Sequence, residues 1–287
     1  KASRPASVTF GLLIRTNLRA GCCESWARRA SLTPGPYKEI VLSSGSIPSL
    51  SVSAAPGALH PMASISSFSN PRIDAPAGTV VNPVLPAACG ARGVIGYRVY
   101  DAVMGALAPL VPDRVIAAGE GGPTLVAIGG YDEEQRPFGT TEVLVGNWGA
   151  RAERDGLEGV SNPLANLGNQ PVELIEADQP LRIERYELVP DSGGAGRLRG
   201  GLAYVREYAL LADEATLTIR TDRRDHPPYG LAGGDSGGPS TNVIASNGDT
   251  RELPTMPMEA QTLARGDTFT HVSAGGGGFG DPLARNP

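Results

Sequence analysis

The stretch Gly233–Ser240, "GGDSGGPS", decides the fold. Its core, Gly234-Asp235-Ser236-Gly237-Gly238-Pro239, spells the surroundings of the nucleophilic serine in trypsin-like proteases. Read that way, the chain is a serine protease; otherwise the glycines belong to a turn in a protein of another kind. A serine nucleophile needs a histidine base and a carboxylate that orients the base. Only His60, His226 and His271 are present, and none stands in the Ala-Ala-His-Cys context that such enzymes use. A cysteine before the motif and a Ser-Trp-Gly strand after it are also missing. A motif counts only in its structural context, so the protease reading is set aside and the glycines need another explanation.

Composition narrows the choice. The 287 residues include 38 glycines and 25 prolines, which favour turns and β structure over long helices. Three cysteines, Cys22, Cys23 and Cys89, make no disulfide framework, which points to a reducing, cytoplasmic setting. No apolar run approaches the roughly 20 residues of a membrane helix. Residues 1–70 carry seven Lys and Arg against two Asp and Glu, whereas the remainder carries 18 against 28. An acidic body argues against nucleic acid as a partner. Lys1 and Lys38 are the only lysines, so the body offers none for a Schiff base or a phosphate-binding loop.

The organisation reads as a mixed α+β protein. Residues 1–67 form an atypical basic segment without sustained period, expected to be disordered or to derive from a shifted reading frame. Residues 68–287 form the ordered region. "ARGVIGYRVYDAVMGALA", residues 91–108, predicts one prominent helix: Val99, Ala102, Val103, Ala106 and Leu110 recur at helical spacing, and Pro109 and Pro112 stop it. "TLVAIGGYD" and "TEVLVGNWGA" read as strands, and from residue 171 the chain reads as almost wholly β and rich in glycine loops. In "ATLTIRTD" Leu217 and Ile219 share one face, and Asn247-Gly248 marks a tight hairpin.

Few residues carry chemistry. In "PDSGGAGRLRGG", residues 190–201, Gly193, Gly194, Gly200 and Gly201 let backbone N–H groups converge on an anion, with Arg197 and Arg199 adding forked donors. The same letters also read as a tight inter-strand connection in which Asp191 and Ser192 cap their own backbone. Glu173 and Glu176 resemble an acid/base pair, but residues three apart in an extended strand face opposite ways. Asp222, Arg223, Arg224, Asp225 and His226 form a charged knot that either lines a site or is a solvated loop. Gly275, Gly277 and Gly280 have dinucleotide-fingerprint spacing but meet Pro282 instead of a helix. The three histidines lack ligand spacing, so no metal site is expected from this chain alone.

Taken in order, "APAGTVVNPVLPAACGAR", "VYDAVMGALAPLVPDRVIAA", "NQPVELIEADQPLRIERYELVPDSGGAGRLRGGLAYVREY", "DRRDHPPYGLAGG" and "HVSAGGGGFGDPLARNP" resemble the B component of the hydantoinase/5-oxoprolinase family. "DSGGAGRLRGG" and the terminal "GGGGFGDP" are the specific parts, and Ser236 then owes its neighbours to a glycine-rich turn. The resemblance implies a component of an ATP-dependent hydrolase that opens a cyclic amide of hydantoin or 5-oxoproline type. The alternatives are a component of an acetone- or acetophenone-type carboxylase, or a non-catalytic assembly module. It also implies a hetero-oligomer with an A-type component that binds ATP. ATP and a divalent metal belong to the complete complex, and no cofactor to this chain alone. Family members are longer, with an N-terminal half holding a His-x-x-Asp-like segment that has no counterpart here, so the chain is expected to be truncated. Asp191, Ser192, Arg199, Glu173 and Glu176 are the catalytic candidates. Gly193, Gly194, Arg197, Gly200, Gly201, Asp222 and Arg223 are the candidates for substrate or anion binding.

Overall fold

The computed structural model describes residues 9–15, 30–32, 37–38, 40–42, 49–54, 72–74, 77–79, 81–88, 92–120 and 124–285. The chain divides into two compact units, Lys1–Ile95 with Gly105–Arg114, and Gly96–Met104 with Val115–Pro287. In the first, β1 (Thr9–Arg15), β2 (Ala30–Leu32), β3 (Tyr37–Lys38), β4 (Ile40–Leu42), β5 (Ser49–Ala54) and β6 (Arg72–Asp74) form a sheet. Its order is β2-β4-β1-β5-β6, with β3 also pairing β1. The rest of the basic segment 1–67 lies outside the described residues.

The helix expected over 91–108 is α1, Arg92–Leu107. Pro109 has no N–H with which to extend it, and Leu110 and Val111 both donate to the Leu107 carbonyl, at 2.9 and 3.0 Å. Among the described residues no helix is long and apolar enough to cross a membrane.

The second unit contains two antiparallel sheets. One has the order β14 (Gln261–Ala264), β11 (Glu214–Arg220), β7 (Thr124–Tyr131), β8 (Pro137–Leu144). The other runs β13 (Asp249–Glu252), β12 (Thr241–Ser246), β15 (Thr268–Val272), β10 (Tyr204–Leu210), β9 (Leu181–Leu188). Alternation in β11 buries Ala215, Leu217 and Ile219 and turns Thr216 outward, as the two-residue period of a strand dictates. These side chains join Val126, Ile128 and Leu144 from one sheet and Tyr208, Ile244 and Phe269 from the other in one apolar core. The Tyr208 and Phe269 rings stack at 6.1 Å. Asn247 (φ 51°) and Gly248 (φ 88°) form the two-residue turn between β12 and β13 that their sequence predicts.

One segment differs from expectation. Residues 172–178, read as strand, form α2 (Val172–Asp178), started at Pro171 and closed by the Gln179 N–H on the Ile175 carbonyl at 2.9 Å. Ile175 is its buried anchor, and Glu173 and Glu176 are exposed. A short apolar run does not distinguish helix from strand by period, and here Glu, Leu and Ala settle it towards helix.

The glycines form a layer of backbone packed on backbone. Gly194 donates to Gly276 at 2.7 Å, Gly276 to Gly201 at 2.8 Å, Gly201 to Trp148 at 3.0 Å, and Gly278 to Asp235 at 2.9 Å. A Cβ on Gly275 would overlap the Ser192 carbonyl oxygen, and one on Gly200 the Gly276 carbonyl. Space, rather than a left-handed φ, therefore dictates glycine at these two positions. This layer explains "GGDSGGPS": Gly234 and Gly237 face the backbone of residues 275–279, and Ser236 is exposed. The dinucleotide reading of residues 275–280 ends likewise, since a short 3-10 turn, Pro282–Ala284, stands directly after it where the fingerprint needs a helix.

Candidate functional site

The first side chains to assemble come from α1. Arg98 and Asp101 lie three residues apart, hence on one face, and pair at 2.9 Å. Asp101 also binds Arg223 through the same carboxylate oxygen, while Arg98 Nε reaches Asp222 Oδ2 at 2.8 Å. The Tyr229 hydroxyl donates to the Asp101 carbonyl and ties the loop after residue 221 to the helix. Arg223 holds φ at 71°, a conformation that an arginine adopts only under constraint. Its carbonyl accepts from Ser240 N–H at 3.2 Å, and its N–H donates to Asp222 Oδ1 at 2.7 Å.

Beneath this quartet lies Glu120. Its backbone N–H donates to Asn147 Oδ1 at 3.0 Å, and Asn147 Nδ2 donates to the carbonyls of Leu202 and Ala274. Arg98 Nη2 donates to the Glu120 carbonyl at 3.0 Å rather than to its carboxyl group, which accepts from the Thr124 hydroxyl at 3.3 Å. Burial pushes the Glu120 pKa up to about 8, against the downward pull of Arg98, Thr124 and Arg223. Charge counting gives the same answer: two arginines balance Asp101 and Asp222, so a charged Glu120 would be the unmatched group.

A shallow recess of about 10 Å³, room for little more than one water molecule, borders Asp101 and is lined also by Tyr100, Asn147, Trp148 and Asn162. It is smaller than the roughly 300–1,000 Å³ of ordinary ligand clefts, so these residues alone do not enclose a cyclic amide. A divalent metal does not fit the described residues either. No group of three His, Cys, Asp or Glu side chains among them could hold one, and Asp101 and Asp222 are already paired with arginines. What the cluster offers is a protonated carboxyl group beside an arginine–carboxylate pair that is partly exposed at Asp222 and Arg98.

The protonated state has a measurable consequence. Folded Glu120 keeps a proton that the unfolded chain releases above pH 4.5, so its contribution falls steadily between about pH 4.5 and pH 8 and is level above. Glu120→Gln keeps the shape and removes the titration. At pH 8 the variant should be the more stable by on the order of 4 kcal/mol, with the difference vanishing towards pH 4.5. Urea midpoints at several pH values measure this. The difference between the two proteins cancels His271, whose pKa burial pushes down to about 4. A pH-independent difference would show that Glu120 is ionised in the folded state.

Residues 60–282 match the family described as Hydantoinase B/oxoprolinase. The chain belongs to this family. It is 36% identical over 218 residues to the protein of Pseudomonas sp. strain NS671 named as the B component of a D-/L-hydantoinase, covering 75% of this chain and 36% of that protein. The beta chain of the caprolactamase of Pseudomonas jessenii is 31% identical over 224 residues, 73% of this chain and 38% of that one. The crystal structure of the ATP-dependent caprolactamase from Pseudomonas jessenii superposes with a TM-score of 0.67 at 27% identity, covering 76% of this chain and 41% of its own. This hydantoinase B/oxoprolinase chain thus spans well under half the length of the relatives it matches.

Of the residues singled out in the sequence, Asp222 and Arg223 enter the cluster. The glycine loop does not. The N–H groups of Gly194, Gly200 and Gly201 donate to the backbone carbonyls of Gly276, Gly194 and Trp148, so three of the four N–H groups of the expected nest are already taken within the fold. Arg197 donates to the Ala152 carbonyl. Arg199 pairs with Glu158 at 2.7 Å and donates to the Gly200 carbonyl. The Ser192 hydroxyl donates to Val189 O and accepts from Ala203 N, and exposed Asp191 turns the chain at φ 57°. The fork and caps therefore hold the loop itself. Glu176 accepts from Ile183 N–H at 2.8 Å, and Glu173 lies elsewhere on the exposed face of α2. Among the described residues no hydrogen bond joins Ser236 to a histidine. Sequence reasoning missed Arg98, Asp101 and Glu120. Opposite charges three apart inside a predicted helix could have flagged the first two; nothing local flags Glu120.

Proposed function

We propose that this chain is the C-terminal region of the B component of an ATP-dependent hydrolase that opens a cyclic amide of the hydantoin or 5-oxoproline type. It works with an A-type component that binds ATP, in the cytoplasm. Residues 68–287 form the family-like region, and the basic segment 1–67 stands apart from it. The likeness to a hydantoinase B component, at 36% identity over 218 residues, carries this reading. In it, the partly exposed pair Arg98–Asp222 faces the reacting amide, and Asp101, Arg223 and Glu120 hold that pair in place. Asp191, Ser192, Arg197, Arg199, Glu173 and Glu176 serve the fold. A full-length B component carrying this region, mixed with an A-type partner, should release ring-opened product from hydantoin or 5-oxoproline only when ATP is supplied. Asp222→Asn should lower that rate at least tenfold, a change of about 1.4 kcal/mol in the barrier. Ring opening without ATP or without the B component, or bicarbonate-dependent carboxylation of a ketone instead, would overturn the assignment.

A further inference from the structure

A polar row crosses the apolar interior of the five-stranded sheet. Antiparallel register sets Arg206 on β10 opposite His271 on β15, and His271 opposite Asn242 on β12, so the three share one face. All three are fully buried. Tyr204, two residues before Arg206, lies on the same face and is also buried.

The hydrogen bonds of this row have a readable direction. The Thr221 hydroxyl donates to the Thr255 carbonyl at 3.1 Å, so its oxygen accepts from Asn242 Nδ2 at 2.8 Å. That fixes the Asn242 amide with Oδ1 towards His271 Nδ1, 2.9 Å away. An acceptor opposite Nδ1 requires the proton to sit on Nδ1. The imidazole is neutral, because burial pushes its pKa down to about 4 against the pull of the Thr241 carbonyl. Nε2 is therefore a bare acceptor.

Among the described residues Nε2 has no partner, and neither do the Tyr204 hydroxyl and Arg206 Nη1. The Tyr204 ring meets the imidazole edge-on, with centroids 6.0 Å apart and planes at 64°. Unmatched buried polar atoms are rare in folded proteins, and three in adjacent positions are not independent accidents. Their chemistry is complementary: one acceptor and two donors. We infer that a buried water molecule binds here, donating to His271 Nε2 and accepting from the Tyr204 hydroxyl and from Arg206 Nη1. Three bonds is the usual complement of a buried water. Gly146 backs the Tyr204 ring, since a Cβ there would press on Tyr204 Cε1 at 2.8 Å and approach Ser273 Oγ at 3.5 Å.

This inference does not depend on which reaction the family member performs. It is tested on the unaltered chain by a crystal structure that shows ordered water, and by ¹⁵N NMR of the histidine side chains. A density peak within hydrogen-bonding distance of both Tyr204 Oη and His271 Nε2, with His271 protonated on Nδ1, is the expected result. Protonation on Nε2, with that nitrogen turned to the Thr241 carbonyl, would overturn it. So would a Tyr204 hydroxyl bonded to a protein acceptor with no peak beside it. Tyr204→Phe supplies a second arm: it should empty the peak while leaving the bond from His271 Nδ1 to Asn242 in place, and a peak that persists unchanged at full occupancy would remove Tyr204 from the site.

Discussion

Gly200→Ala and Gly275→Ala are each expected to destabilise the second unit by more than about 3 kcal/mol, at or beyond the upper end of ordinary overpacking. The new methyl would land on the carbonyl of Gly276 in one case and of Ser192 in the other. A side chain could rotate away from it, but a carbonyl already in the backbone network cannot. Gly275 donates to Gly238, Gly238 to the Ser192 carbonyl, and Gly276 to Gly201, so a shift at one strand of the layer breaks bonds to two others. The control is Gly139, in β8, which has open space where its Cβ would lie and no left-handed φ. Gly139→Ala should be neutral or stabilising by up to about 1 kcal/mol, because it restricts only the unfolded chain. Urea denaturation of the three variants decides it. A midpoint for Gly275→Ala within error of that for Gly139→Ala would mean that the layer is loose enough to admit a methyl, and the account of the glycines would fail.

The same glycines show where reading the sequence stops. Their number announced turns, and "DSGGAGRLRGG" offered two meanings, an anion nest or a tight connection. Choosing between them requires knowing what lies across from each N–H, and for Gly194 and Gly201 that is Gly276 and Trp148, distant along the chain. No local pattern encodes such a partner. Periodic elements were legible for the opposite reason. The apolar spacing in α1, the alternation in β11 and the Asn-Gly turn after β12 are each set by neighbours within a few residues. α2 escapes that kind of reading because two turns are too short to express a period.

The site divides along the same line. Asp222 and Arg223 stood out as part of a dense charged run, but Arg223 meets Asp101 across a separation of 122 residues. Whether such a run is solvated or buried depends on that distant helix, so the sequence left both readings open. Glu120 carried no signal at all. A carboxylate between Gly119 and Gly121 reads as a surface turn, and only the fold shows that Asn147 and Thr124 enclose it.

Arg206→Met should cost about 3–5 kcal/mol, the usual penalty for stranding one member of a buried ion pair. Arg206 and Glu142 are both fully buried and join the two sheets through a two-point contact, Nε to Oε2 at 3.1 Å and Nη2 to Oε1 at 3.0 Å. Glu142 also accepts from the Tyr208 hydroxyl, and Arg206 donates to the Gln170 carbonyl and lies over the Tyr186 ring at 4.4 Å. With Met at 206, Glu142 keeps Tyr208 but loses the cation that balances it and must either take up a proton or distort the core. Against the roughly 5–15 kcal/mol that holds a typical domain together, that loss is large. Replacing both partners, Arg206→Met with Glu142→Leu, leaves no stranded charge, and removing a buried pair in this way is often neutral or stabilising. The double variant should therefore recover most of the single variant's loss, although Tyr208 then needs a new acceptor; adding Tyr208→Phe removes that requirement. Urea midpoints for the single, double and triple variants form the test. If Arg206→Met alone cost less than about 1 kcal/mol, bulk solvent would have to reach the pair and screen it, and the account of a pair closed off from bulk water between β8 and β10 would fail.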